Sequence, residues 1–99
     1  MTKALTRTTV DLIERVKFQI QHDQPSSGDL DHELARIVQE VEGTGKCQRD
    51  YRNMRDRYFT VYPEFGSNWR AALITFCAAF DMAFFESGDG ESIVFLRRE

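Results

Sequence analysis

Apolar residues recur along this chain with two different periods, and the change of period marks out its elements. Leu12, Ile13, Val16 and Ile20 fall on one side of a helix behind Thr8 or Thr9, either of which can cap it with Asp11 in the first turn. The spacing predicts a first helix over about 9–22. Residues 23–28 hold no apolar side chain and collect Pro, Ser and Gly, so they read as a loop that ends at Asp29, the next cap. Leu30, Leu34, Ile37 and Val41 then share a face, which predicts a second helix with Gly43 as its left-handed stop.

Beyond Gly43-Thr44-Gly45, the residues Cys47, Tyr51, Met54 and Tyr58 line one helical face while Arg49, Arg52 and Asp56 point away. This is a third helix, amphipathic and basic outside. Residues 59–65 are β-branched and aromatic but contain Pro63, which suits an extended connector better than an internal strand. Gly66 and Ser67 open a fourth helix with the stripe Trp69, Leu73, Phe76 and Phe80. Ala71, Ala72, Ile74, Cys77, Ala78 and Ala79 make its other sides apolar as well. A helix apolar all round is expected to be buried. After Asp81 the period changes: runs over 82–86 and 92–97 flank a Gly-Asp-Gly turn and predict a hairpin. The expected fold is α+β, mainly α, with about four helices and a C-terminal two-stranded antiparallel β-hairpin packed on the apolar fourth helix.

Size and composition narrow this picture. Ninety-nine residues with 41% hydrophobic and 29% charged side chains make one globular domain over 1–99, with 1–7 as a flexible lead. The longest apolar run, 71–80 interrupted only by Thr75, falls far short of the roughly 20 residues that span a bilayer. The N-terminal residues lack an apolar signal core, so a cytoplasmic protein without membrane contact is expected. Cys47 and Cys77 each lie in an apolar stripe and are expected to be reduced thiols that pack as small hydrophobes.

Charge is segregated. Residues 29–42 carry one base and five acids, and 43–58 carry five bases and two acids, within a net charge of −3. Neighbouring elements are expected to answer one another's charge.

The candidate chemistry is thin. Gly43-Thr44-Gly45-Lys46 resembles the end of a phosphate loop, but Glu40 stands where the first Gly belongs and Cys47 where Ser or Thr belongs. Cys47 beside Lys46, near a helix start, has features that activate a thiol, yet His22 and His32 are the only available histidine bases and no orienting partner is marked. Those histidines, with Asp23, Asp29, Asp31 and Glu33, match no compact metal spacing, and the turn 86–91 lacks the alternating ligands of a calcium loop. No catalytic residue, cofactor, metal or small-molecule substrate is therefore expected.

Two binding readings remain. Three helices followed by a hairpin resemble a winged helix, and that resemblance implies a nucleic-acid reader made of Lys46, Arg49, Arg52, Arg55 and Arg57 with Tyr51 and Tyr58. Acidic Glu86, Asp89 and Glu91 at the would-be wing, and the acidic balance of the whole chain, oppose it. The other reading starts from the hairpin, where Phe84 with Phe85 and the run Ile93-Val94-Phe95-Leu96 place large apolar groups on both faces, with Phe84, Phe85, Ile93 and Phe95 as the candidate interface. One face can cover the fourth helix. The other, with the open edge of the last strand, wants a partner: another protein or a second copy of the chain. In compactness and acidity the chain resembles the small inhibitors and regulators of phages and mobile elements, anti-CRISPR proteins among them. That likeness implies a stoichiometric protein binder, with Asp29, Asp31, Glu33, Glu40 and Glu42 offered to a basic target, or the third helix's arginines to an acidic one.

Overall fold

A computed structural model describes residues 2–22, 30–61 and 69–98 of the chain. Among them, four helices and three strands follow in the order α1 (Thr2–His22), α2 (Leu30–Thr44), β1 (Lys46–Asp50), α3 (Tyr51–Val61), α4 (Trp69–Ala79), β2 (Met82–Glu86) and β3 (Ser92–Arg97). The mainly helical α+β expectation holds, and no described helix is long and apolar enough to cross a membrane. The expected loop over 23–28, its cap Asp29, and Gly66 and Ser67 lie outside the described residues.

The largest departure is β1. The sequence predicts a helix through Cys47, Gln48 and Arg49, but these residues pair antiparallel with β3, Cys47 opposite Phe95 and Arg49 opposite Ile93. The hairpin is thus two-thirds of a sheet ordered β1-β3-β2, and the edge of β3 that seemed open is covered by β1. One buried side chain, Cys47, in a five-residue run of otherwise polar residues satisfies a period of two as well as a period of 3.6. Pairing with a strand 46 places away then decides the matter. Helix α3 starts only at Tyr51, where the Asp50 carboxylate accepts the Asn53 N–H at 3.0 Å as an N-cap. It runs on through Val61, so the front of the expected 59–65 connector is helical and the rest lies outside the described residues.

Helix ends shift for stated reasons. Thr9 is buried inside α1, which begins at Thr2, and so caps nothing. Helix α2 passes through Gly43 and stops at Gly45, whose φ of +88° only glycine adopts without strain and whose N–H closes on the Val41 carbonyl at 2.7 Å. From the far end of β3, Arg97 Nη2 donates to the carbonyls of Glu42 (2.6 Å) and of Val41 (3.1 Å), which it shares with the Gly45 N–H, and so satisfies the last turn of α2.

The helices and the inner sheet face share one core. Leu12 and Val16 of α1, Leu34, Ile37 and Val38 of α2, Leu73 and Phe76 of α4, and Ile93 and Phe95 of β3 are fully buried. Tyr51 and Met54 of α3 join them. Helix α4 buries Trp69, Ala72, Leu73, Phe76 and Cys77 only. Its other side, Ala71, Ile74, Thr75, Ala78 and Ala79, is exposed, contrary to the all-round burial expected from composition. Small alanines let a helix look apolar on every side without anything packing there.

Candidate functional site

Side chains on a strand alternate between faces, so the register of three strands sorts every sheet residue into an inner or an outer row. The inner rows are Met82 with Arg97, then Cys47, Phe95 and Phe84, then Arg49, Ile93 and Glu86. The outer rows are Lys46, Leu96 and Ala83, then Gln48, Val94 and Phe85, with Asp50 beside Ser92 at the end. Of the hairpin residues singled out from the sequence, Ile93 and Phe95 are therefore core and cannot form an interface, and Phe84 is partly buried against that core. Phe85 alone of the four is exposed, at 59%. Beside it stand half-buried Val94 and Leu96, members of the apolar run whose share in the interface the sequence left unassigned, and Ala83, which the sequence pattern did not mark. Apolar residues at consecutive positions hid which alternate set faces inward, so the needed signal is the pairing itself.

This outer face carries an apolar patch of Ala83, Phe85, Val94 and Leu96, bordered along β1 by exposed Lys46, Gln48 and Asp50. Other exposed apolar side chains stand elsewhere: Ile74 on α4 at 54%, and Val10 and Phe18 on α1. Phe18 is stacked on His22 with ring centroids 4.0 Å apart.

The charged candidates are largely spoken for within the molecule. Arg49 reaches Glu33 at 2.9 Å and Glu40 at 3.5 Å, one helical face of α2 bound to β1. Burial works against the Arg49 charge, but the hydrogen bond to Glu33 and the surrounding negative charges of Glu33 and Glu40 together outweigh it and hold the guanidinium above its ordinary pKa. Asp31 is buried and paired with Arg15 at 3.2 Å. These contacts realise the expected answer of acidic to basic segments, with a strand in place of the third helix. Arg55 pairs with Asp56 at 3.5 Å, Arg57 is half-buried, and Arg52 and Lys46 are exposed. The five cations thus divide between β1 and α3 and form no single helix face; the Tyr58 side chain lies outside the described residues. A shallow groove of about 640 Å³ runs beside this cluster, lined by Gln19, His32, Arg36, Gln39, Glu40 and Arg49.

Neither thiol is activated. Burial raises Cys47 to about 11, Arg49 opposing only in part, and raises Cys77 to about 12. Cys47 lies on a strand, so the helix-terminus activation expected for it does not apply. Across the sheet, Tyr51, Glu86 and Arg70 form a small polar cluster in which Arg70 meets Glu86 at 2.9 Å. Burial and the hydrogen bond to Glu86 push the Tyr51 phenol up.

No protein-family model matches the chain, and neither a curated protein nor a solved structure does so.

Proposed function

We propose that this chain works by protein–protein contact, with another protein or a second copy of itself, as a stoichiometric binder and not as a catalyst, through the outer face of its three-stranded sheet. The observation that carries the reading is the exposed Phe85 at the end of a cross-strand row, with Val94, Leu96 and Ala83 around it. A sheet with one face on the core normally offers polar residues to water on the other; here β2 and β3 offer apolar ones. A contiguous apolar patch rimmed by polar and charged residues is the usual form of a protein-binding surface. Regulation or inhibition of the bound protein is the role such a binder would have.

A nucleic-acid regulator is the second reading. The added strand gives the order helix, strand, helix, helix, hairpin from α2 onward, which resembles a winged helix more closely than helices and a hairpin alone. In helix-turn-helix readers the second helix of the pair enters the major groove. Helix α4 would be that helix, and its outward side is Arg70, Ala71, Ile74, Thr75, Ala78 and Ala79, with Arg70 already held by Glu86. One engaged cation is poor equipment for a phosphate surface, and this favours the protein partner.

The test is a photo-crosslinking amino acid placed at position 85, with position 39 on α2 as control, followed by mass analysis of protein adducts. Adducts at 85 well above those at 39 are expected. Equal yields at both positions would end the reading. In parallel, a random-sequence duplex at ~150 mM salt should show no mobility shift; a shift abolished by Arg70→Gln would put the nucleic-acid reading first.

A further inference from the structure

We infer that the protein seated on the outer sheet face is a second copy of this chain, packed face to face about a twofold axis that crosses the strands at the row Gln48, Val94 and Phe85. This rests on the reading of that face as a protein-binding surface and adds its occupant.

The argument is one of charge and size along the register. One end of the face holds the cation Lys46, which begins β1, and the other holds the acid Asp50, which ends it, both exposed and both in the outer rows. An axis across the strands lays each strand over its own copy with its direction reversed. Val94 then meets Val94 and Phe85 meets Phe85 of the second copy. Lys46 comes over Asp50 of the second copy twice, once on each side of the axis. Leu96 falls over Ser92, a large residue over a small one. A twofold interface must be self-complementary, and this face is. Rotation about an axis along the strands would instead set like end on like end. Two sheets stacked with nearly aligned strands are a standard arrangement, with a shared apolar layer about 10 Å thick.

The patch is small beside the ~800 Å² per partner of stable interfaces. A weak, concentration-dependent dimer is therefore expected, and concentrated protein is needed to see it.

The experiment is light scattering on the full chain over micromolar to millimolar concentrations, with circular dichroism to confirm folding. The wild-type mass should climb toward the dimer, and Phe85→Asp should stay monomeric. Lys46→Glu should weaken association about tenfold, because two acids then face each other on each side. Asp50→Lys should do the same. An equimolar mixture of Lys46→Glu and Asp50→Lys chains should recover the dimer as a mixed pair. Because Asp50 also caps α3, Lys46→Glu with Asp50→Asn serves as a second rescue that keeps the cap and removes the repulsion.

A wild-type chain that stays monomeric throughout would overturn the inference, as would a dimer indifferent to Lys46→Glu or a failure of both rescues. The outcomes separate the two claims. Dimers lost in Phe85→Asp but untouched by the charge changes would leave the face as a protein-binding surface and remove the twofold arrangement. Dimers unaffected by Phe85→Asp would remove both.

Discussion

At the scale of single residues, burial decides the chemistry. Cys47 and Cys77 have the composition of reactive groups and the surroundings of core methyls. Each keeps its proton in the folded chain at pH values where an unfolded thiol, with an ordinary value of 9.0, has lost it. Protons are then released on unfolding, so stability falls as pH rises from about 9 toward 11 and is insensitive to these groups below that window. Ellman's reagent at pH 8 is expected to react with both thiols quickly in urea and slowly in native buffer; rapid native reaction of Cys47 would contradict its burial. Arg49 makes a second prediction. It is half-buried between Glu33 and Glu40, so Arg49→Met should cost about 1 kcal/mol, most of it absent in a Glu33→Gln background. Denaturant melts of the four chains of that cycle measure it.

At the scale of elements, ends and pairings matter more than middles. The helical stripes of α1, α2 and α4 were legible because three or four core contacts repeat with one period: Leu12, Val16 and Ile20, or Leu34, Ile37 and Val41. The stop of α2 was not, because two glycines stand two residues apart and only backbone geometry distinguishes them. Gly45, at φ +88°, is strained by any side chain, and Gly43 has open space around it and ordinary helical backbone. Gly45→Ala should therefore destabilise by about 1–2 kcal/mol, and Gly43→Ala should be neutral or stabilising by up to ~1 kcal/mol. Paired urea melts decide, and the opposite order would return the stop to Gly43. Arg97→Met, which removes the donor to the Val41 and Glu42 carbonyls, should cost about 1–2 kcal/mol with the sheet otherwise intact. Strand β1 was misread as helix for a different reason: Cys47 is its one buried residue, and one residue has no period.

At the scale of the molecule, the two faces of one sheet have different work. Phe95 is fully buried among the helices, and Phe84, Phe85 and Phe95 are alike in the sequence. Truncating a core Phe costs ~3–5 kcal/mol, and a buried carboxylate costs more, which consumes most of the ~5–15 kcal/mol of a domain this size. Phe95→Asp is thus expected to unfold the chain, and Phe85→Asp to leave its melting temperature within a few degrees of wild type. Thermal melts of the two variants would show it; equal damage from both would mean that the outer face is itself core. The same division separates the charges. Asp31, Glu33, Glu40 and Arg49 hold elements together, and Lys46 and Asp50 remain on the surface.

The sequence by itself determined the mainly helical α+β class, the core stripes, the C-terminal hairpin and the pairing of acidic with basic segments. Each of these follows from interactions close in the chain or from a periodicity repeated often enough to have one solution. Tertiary structure alone decided the third strand, the inward and outward faces of the hairpin, and the apolar patch that results. Those depend on β1 meeting β3, Cys47 against Phe95, across 48 positions, a contact that neither segment encodes alone. A shift of one residue in that register would exchange Phe95 for Val94 and turn the core face out to water.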